Sequence, residues 1–271
     1  MPLAVCATPI GNLEDVTLRV LAELRAADLL LCEDTRRTRI LLDRHRIGPV
    51  RLLSYHGHNE ARRTAEGLPR LAAGERVALV SDAGLPAVND PGRRLVDAAL
   101  SAGVPVTVLP GPSAVETALV ASGLAAGQYR FVGYLPRGER ALTALWEELR
   151  TWPYAAVAFE SPRRLPVALA ALAASQPERQ VAVCRELTKR HEEVVRGPAG
   201  AVAERFREPP RGEIALVLGA SSGGGAAANE SADALTAVAE LVAAGTPRKV
   251  AASVVARLTG LPRGGLYDDS L

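Results

Sequence analysis

Over the first 123 residues, short apolar runs alternate with helix-like segments, and this alternation constrains the fold more than any other feature of the chain. "PLAVCA", "DLLLCE", "VRLLSY", "RVALVS" and "PVTVLP" have the length and apolar density of buried strands. Between them, "DVTLRVLAELRAA", "RRTRILLDRH", the stretch from Asn59 to Ala73 and "PGRRLVDAALSAG" have helical spacing, and "SAVETALVASG" follows the last strand. Asp15 is placed to cap the first helix; Pro91 falls near the first turn of the fourth and Gly103 at its end; Ser113 opens the fifth. Pro69 is expected to bend or break the third. Strand and helix in turn predict an α/β fold around a largely parallel sheet.

From about Gln128 the pattern changes. "YRFVGY", "YAAVAFE", "RQVAVCREL", "EEVVRGP" and "GEIALVLGA" read as strands, with "ERALTALWEELR", "PRRLPVALAALAAS" and "PAGAVAERF" as helices among them. "VAVCREL" and "EEVVRG" flank a short polar segment, as in a hairpin, so a second, mixed-sheet domain is expected. Residues 219–231, "GASSGGGAAANES", read as a flexible linker. Helical "SADALTAVAELVAAG" and "PRKVAASVVARLTG" follow, then a polar tail, "LPRGGLYDDSL". The expected division is an N-terminal α/β domain (1–115), a C-terminal α/β domain (116–219), a linker (220–231) and a small helical region (232–271).

Composition narrows the classes. The chain is 48% hydrophobic, yet no apolar stretch is long enough to cross a bilayer. The N-terminus lacks the basic and apolar segments of a signal peptide, so a cytoplasmic location without membrane contact is expected. Cys6, Cys32 and Cys184 lie inside apolar runs and read as buried thiols; no pair has metal-ligand spacing, so no metal is expected. A net charge of +2 implies no acidic partner by itself.

Four loops at strand ends are dense in small residues: "ATPIGN" (7–12), "SDAGLPAVNDPG" (81–92), "PGPSAV" (110–115) and "ESPRR" (160–164). In such sheets ligands bind outside the carboxyl ends of the strands. None of the four carries the G-x-x-x-x-G-K-[ST] or G-x-G-x-x-G spacing, which disfavours a polyphosphate or a dinucleotide. A ligand with an adenosine end and an amino-acid end fits better. Asp82 and Asn89 can bond ribose hydroxyls or an ammonium, and helix N-termini after Pro91 and Pro112 favour a carboxylate.

"ATPIGNLEDVTLRVLAEL", "CEDTRRTRILL", "SYHGHNE", "VALVSDAGLPAVNDPG", "LPGPSAVETALVASGL", "FESPRRL" and "RELTKRHEEVVRG" occur in this order between about residues 3 and 219. Together they resemble the successive signatures of the ribosomal RNA small-subunit methyltransferase I family, a branch of the tetrapyrrole (corrin/porphyrin) methylase superfamily. The terminal "KVAASVVARLTGLPRGGLYDDSL" resembles that family's small C-terminal helical region. The resemblance implies two α/β domains with S-adenosylmethionine in the cleft between them. It also implies methylation of a cytidine ribose 2′-hydroxyl in 16S ribosomal RNA, free or in the assembled small subunit, by a homodimer.

Carried over residue by residue, the implied cofactor contacts are Thr8, Pro9, Ile10, Gly11 and Asn12 in the first loop. Ser81, Asp82, Ala83, Val88, Asn89 and Asp90 follow in the second, and Pro112, Ser113 and Ala114 in the third. Phe159, Glu160, Leu187 and Thr188 come from the second domain. Arg163 stands where the family has a histidine in "ESPHR". Asp34, His56 and Lys189 are the candidates for accepting the hydroxyl proton or polarising the hydroxyl, and Arg36, Arg37 and Arg39 for holding phosphates. Two other readings stay open: a tetrapyrrole or precorrin methylase with the same fold and cofactor, and a non-enzymatic RNA-binding module.

Overall fold

The computed structural model describes residues 2–125 and 127–268. Its first half contains strands β1 (Leu3–Cys6), β2 (Leu29–Cys32), β3 (Leu52–Ser54), β4 (Val77–Val80) and β5 (Val106–Leu109). They form one parallel sheet in the order β3-β2-β4-β1-β5. Helices α1 (Leu18–Ala26) and α2 (Thr35–Arg44) bury Val20, Leu24, Leu41 and Leu42 on one face. Helices α3 (Glu60–Ala72) and α4 (Arg93–Ser101) bury Leu71, Leu95 and Ala99 on the other. β1, β2 and β4 are apolar without alternation because both faces of the sheet are covered.

Local chemistry differs from the sequence expectation at two helices. The cap of α1 is Thr17, whose Oγ1 accepts from the Val20 N–H at 3.2 Å, and not Asp15. α3 runs on through Pro69 to Ala72. Pro69 lies in its last turn, where its own carbonyl still accepts from the Ala73 N–H at 2.9 Å.

The second half holds β6 (Tyr129–Tyr134), β7 (Ala155–Glu160), β8 (Gln180–Arg185), β9 (Glu193–Pro198) and β10 (Ile214–Leu218). The sheet order is β6-β7-β10-β8-β9. Only β6 and β7 pair in parallel, and β8 and β9 form the expected hairpin. Helices α6 (Glu139–Arg150), α7 (Leu165–Ser175) and α8 (Ala199–Arg205) cover one face with Trp146, Leu149, Leu169, Leu172 and Val202. The other face is covered by α5 (Ala114–Ser122), through Val115, Ala118 and Leu119. Ile10 of the first loop joins this same cluster, so the two halves share apolar packing.

The remaining helices are α9 (Ser222–Ala243), α10 (Arg248–Thr259) and α11 (Arg263–Asp268). They close a core of their own around Ala234, Val238, Ala251, Ala252, Val255 and Leu266. α9 begins inside the segment expected to be a linker. Ala226–Ala228 have the highest helix propensity of any residue type and stand just upstream of the turns anchored by Ala234 and Val238. α11 likewise replaces the first part of the expected polar tail, whose residues 269–271 lie outside the described residues.

Candidate active site

β1 and β4 are neighbours, and β2 lies on the other side of β4. The loops that leave their carboxyl ends therefore meet. Thr8 and Gly84 exchange backbone hydrogen bonds at 2.8 and 3.0 Å, and Thr8 Oγ1 donates to the Ser81 carbonyl at 3.0 Å. Asp82 reaches the loop and helix that follow β2: its Oδ1 accepts from the Asp34 N–H at 3.0 Å, and its Oδ2 lies 3.5 Å from Arg37. A cavity of about 250 Å³ opens here. Thr8, Pro9, Ile10 and Gly11 line it from the first loop, and Ser81, Asp82 and Ala83 from the second. Arg37 and Ile40 of α2 form one wall, and Lys189 and Glu213 close it from the second half.

The two halves touch through a loop contact that only glycine permits. A Cβ on Gly11 would sit 2.5 Å from Lys189 Cγ, 2.7 Å from Thr188 Oγ1 and 2.8 Å from the Leu187 carbonyl. Next to it, the Asn12 N–H donates to Thr188 Oγ1 at 3.0 Å. The partner loop holds Glu186 and Thr188 at positive φ (52° and 64°), and the second loop of the cleft holds Ala87 and Asn89 likewise (68° and 62°). Non-glycine residues in this region store backbone strain and concentrate at functional sites. Asn89 reaches the second half, its side chain lying where a Cβ on Gly133 would stand.

The remaining expected contacts fall around this core. Ile10, Ala83, Ala114, Phe159 and Leu187 pack in the shared apolar cluster. The Pro112 carbonyl approaches Gly84, and Ser113 caps α5 with its hydroxyl turned onto Glu116. Val88 is 51% exposed on the cleft loop. Glu160 is buried and structural in its bonds: Oε1 accepts from the Ser161 N–H at 2.6 Å, and Oε2 lies 3.2 Å from Arg164. The carboxylate expected at the N-terminus of α4 is supplied by the protein itself. Glu60 Oε1 accepts from the Gly92 and Arg94 N–H groups at 3.0 and 3.3 Å.

Three half-buried carboxyls gather at the cleft. Burial raises the proton affinity of Glu33, Asp82 and Asp90; repulsion by neighbouring carboxylates adds to it, from Asp82 on Glu33, from Asp34 and Glu213 on Asp82, and from Glu33 and Asp82 on Asp90, which reaches about 6. Asp34 behaves oppositely. It caps α2 through the Arg36 N–H at 2.8 Å and pairs with the Arg36 guanidinium, which holds its carboxyl down at about 2. Lys189 is gripped by Glu186 (2.8 Å) and Glu213 (2.9 Å), and these partners hold its ammonium above the ordinary value against the cost of burial. His56 Nε2 lies 3.1 Å from the Asn59 amide nitrogen, which is oriented by bonds to Ser54 and to the His56 backbone. Nε2 is then the acceptor, and buried Nδ1 is left without a hydrogen-bond partner.

Sequence reasoning missed Glu33 and Glu213. Glu33 lies in the quoted "CEDTRR" run, one residue from the carboxyl it named. Glu213 precedes β10, which is antiparallel to β7 and β8, so its start lies level with their carboxyl ends. That placement was accessible only with the sheet order known.

Fold and cleft together define a methylase of the tetrapyrrole class, and residues 2–203 match the family Tetrapyrrole (Corrin/Porphyrin) Methylases. The fold is similar to that of the methyltransferase CobJ (TM-score 0.61, 21% identity, 81% of this chain and 94% of that one). It is also similar to uroporphyrin-III C-methyl transferase from Thermus thermophilus complexed with S-adenyl homocysteine (0.56, 22%, 80% and 96%). Among sequence relatives, "Ribosomal RNA small subunit methyltransferase I" of Mesorhizobium japonicum is 45% identical over 98% of this chain and 90% of its own. The protein of that name from Thermotoga maritima is 44% identical over 80% of this chain and 97% of its own, which leaves about a fifth of this chain without a counterpart. The chain belongs to the ribosomal RNA small subunit methyltransferase I family.

Proposed function

We propose that the chain transfers a methyl group from S-adenosylmethionine to the ribose 2′-hydroxyl of a cytidine in 16S ribosomal RNA. The observation that carries this reading is the cleft at the strand ends. Asp82 lines the same cavity as an apolar wall of Ile10, Leu13, Ile40 and Leu41, and the charges of Glu33, Asp82 and Asp90 act on one another nearby. Such a site fits a ligand that joins a sulfonium and an ammonium to an apolar nucleoside, because apolar side chains face the nucleoside and the Asp82 carboxylate can accept from an ammonium. Bound there, the cofactor supplies an electrophilic methyl carbon on a good leaving group.

The rest of the work belongs to the chain's own residues. Thr8–Asn12 and Ser81–Asn89 grip the cofactor, with Pro112–Ala114, Phe159, Leu187 and Thr188 closing the far side, while the buried ion pair of Glu160 with Arg164 supports the strand end. Asp34 fixes Asp82 through its backbone N–H. Lys189, held as an ammonium, donates and cannot accept a proton. In this reading the Asp90 carboxylate takes the proton of the acceptor hydroxyl, since half-burial beside Glu33 and Asp82 raises its proton affinity to about 6. His56 and Asp34 position neighbours. Arg36, Arg37 and Arg39 on the exposed side of α2 meet the phosphates that flank the acceptor. Cytoplasmic location and homodimeric assembly belong to the same proposal; among the described residues no helix is long and apolar enough to cross a membrane.

The test offers labelled S-adenosylmethionine with three acceptors in parallel: under-methylated small ribosomal subunits, naked 16S RNA and a precorrin. Label on either RNA acceptor supports the proposal. Label on the precorrin alone contradicts it, as does binding of cofactor and RNA with no transfer at all.

A further inference from the structure

β6 ends in a distortion that presents one aromatic ring to the cleft. The pairing register with β7 shifts between Phe131 and Tyr134, and Gly133 adopts φ 74° with Asn89 packed against it. Tyr134 emerges 66% exposed, although it is a large ring at a sheet end. Its inner edge meets Phe159 at 5.6 Å between centroids, and Phe159 meets Phe131 at 5.0 Å, both edge-to-face. Burial, and after it the charges of Asp90, Glu213, Glu33 and Glu160, raise the proton affinity of its phenol.

The backbone that follows the ring is held in place. The Leu135 N–H donates to the Phe159 carbonyl at 3.0 Å. Arg164 donates to the carbonyls of Leu135 (3.2 Å) and Pro136 and pairs with buried Glu160. A solvent-facing ring with aromatic support behind it, on a fixed strand end, is an arrangement that stacks an unpaired base, because every base has a π-face.

We propose that Tyr134 is the stacking platform for the acceptor nucleobase, holding the ribose so that its 2′-hydroxyl faces the cleft carboxyls. This rests on the RNA-methylating reading above and names the residue that orients its substrate.

The experiment compares wild type, Tyr134→Phe and Tyr134→Leu in methyl transfer to under-methylated small ribosomal subunits, with cofactor affinity measured by calorimetry. Tyr134→Phe should stay within about twofold of wild type in kcat/KM, because the ring and not the hydroxyl acts. Tyr134→Leu keeps apolar bulk and should lose about tenfold or more, with unchanged affinity for S-adenosylmethionine and unchanged melting temperature. Equal kcat/KM for Tyr134→Leu and wild type overturns the proposal. So does a parallel loss of cofactor affinity, which would assign the ring to the cofactor's adenine. A wild type that methylates no RNA overturns the functional reading and this inference with it, and the wild-type control separates that case from the others.

Discussion

Asp90 combines half-burial with two carboxylate neighbours, and both effects disfavour its charged form. A group that ionises near pH 6 is a usable base at neutral pH, whereas Asp34, held near 2 by Arg36, is a weak one. The single-turnover rate should therefore rise with pH through about 6, and Asp90→Asn should lower it by about 10²–10⁴-fold while removing that dependence. The same shift acts on stability with a definite sign. Between the ordinary carboxyl range and about 6, folded Asp90 holds a proton that the unfolded chain has released, so stability falls as pH rises through that window. Asp90→Asn should thus melt higher than wild type at pH 7, with the difference shrinking toward pH 4. Thermal melts and rapid-quench rates across pH 5–8 check both; a slower enzyme that is also less stable at pH 7 would contradict the assignment.

At the scale of elements, the cleft depends on two loops meeting across the halves, and Gly11 is the contact point. Its φ is not in the left-handed region, so the constraint is space and not backbone conformation. The Leu187 carbonyl, as backbone, cannot swing away as a side chain would. Gly11→Ala should lower stability by about 1–3 kcal/mol, the typical cost of overpacking, and weaken cofactor binding; calorimetry and melting curves unchanged from wild type would refute the contact. The cleft loops were legible in the sequence because strand ends collect ligands and small residues mark close approach. The roles of single side chains were not. Asp34 and Asp15 look alike as residues opening a helix, yet only Asp34 caps one, since Thr17 stands closer to the first turn of α1. The anion expected at α4 is Glu60, 32 residues away in sequence from the Gly92 N–H it accepts. Pairings of that range follow from packing and leave no local signature.

For the whole molecule, the two sheets and their shared apolar cluster make the cleft, while α9–α11 pack around a separate core. A relative from the same family spends nearly its whole length on a share of this chain that leaves out a segment of that size. The helices carry Arg248, Lys249, Arg257 and Arg263, a set suited to phosphate contact, which supplies affinity and register. A chain ended at Ala220 should fold and bind S-adenosylmethionine like the full chain. It should bind ribosomal substrate more weakly, with the slope of log affinity against log salt shallower by about 1–3. Equal affinity and equal slope would remove any docking role from these helices. The central claim, that this cleft methylates a ribose hydroxyl, is tested most directly by nucleoside mass spectrometry of under-methylated small subunits treated with wild type or with Asp82→Ala. The expected result is 2′-O-methylcytidine at one site with wild type and its loss or strong reduction with the variant. A methyl group on the base, or equal 2′-O-methylcytidine from both proteins, would contradict the account.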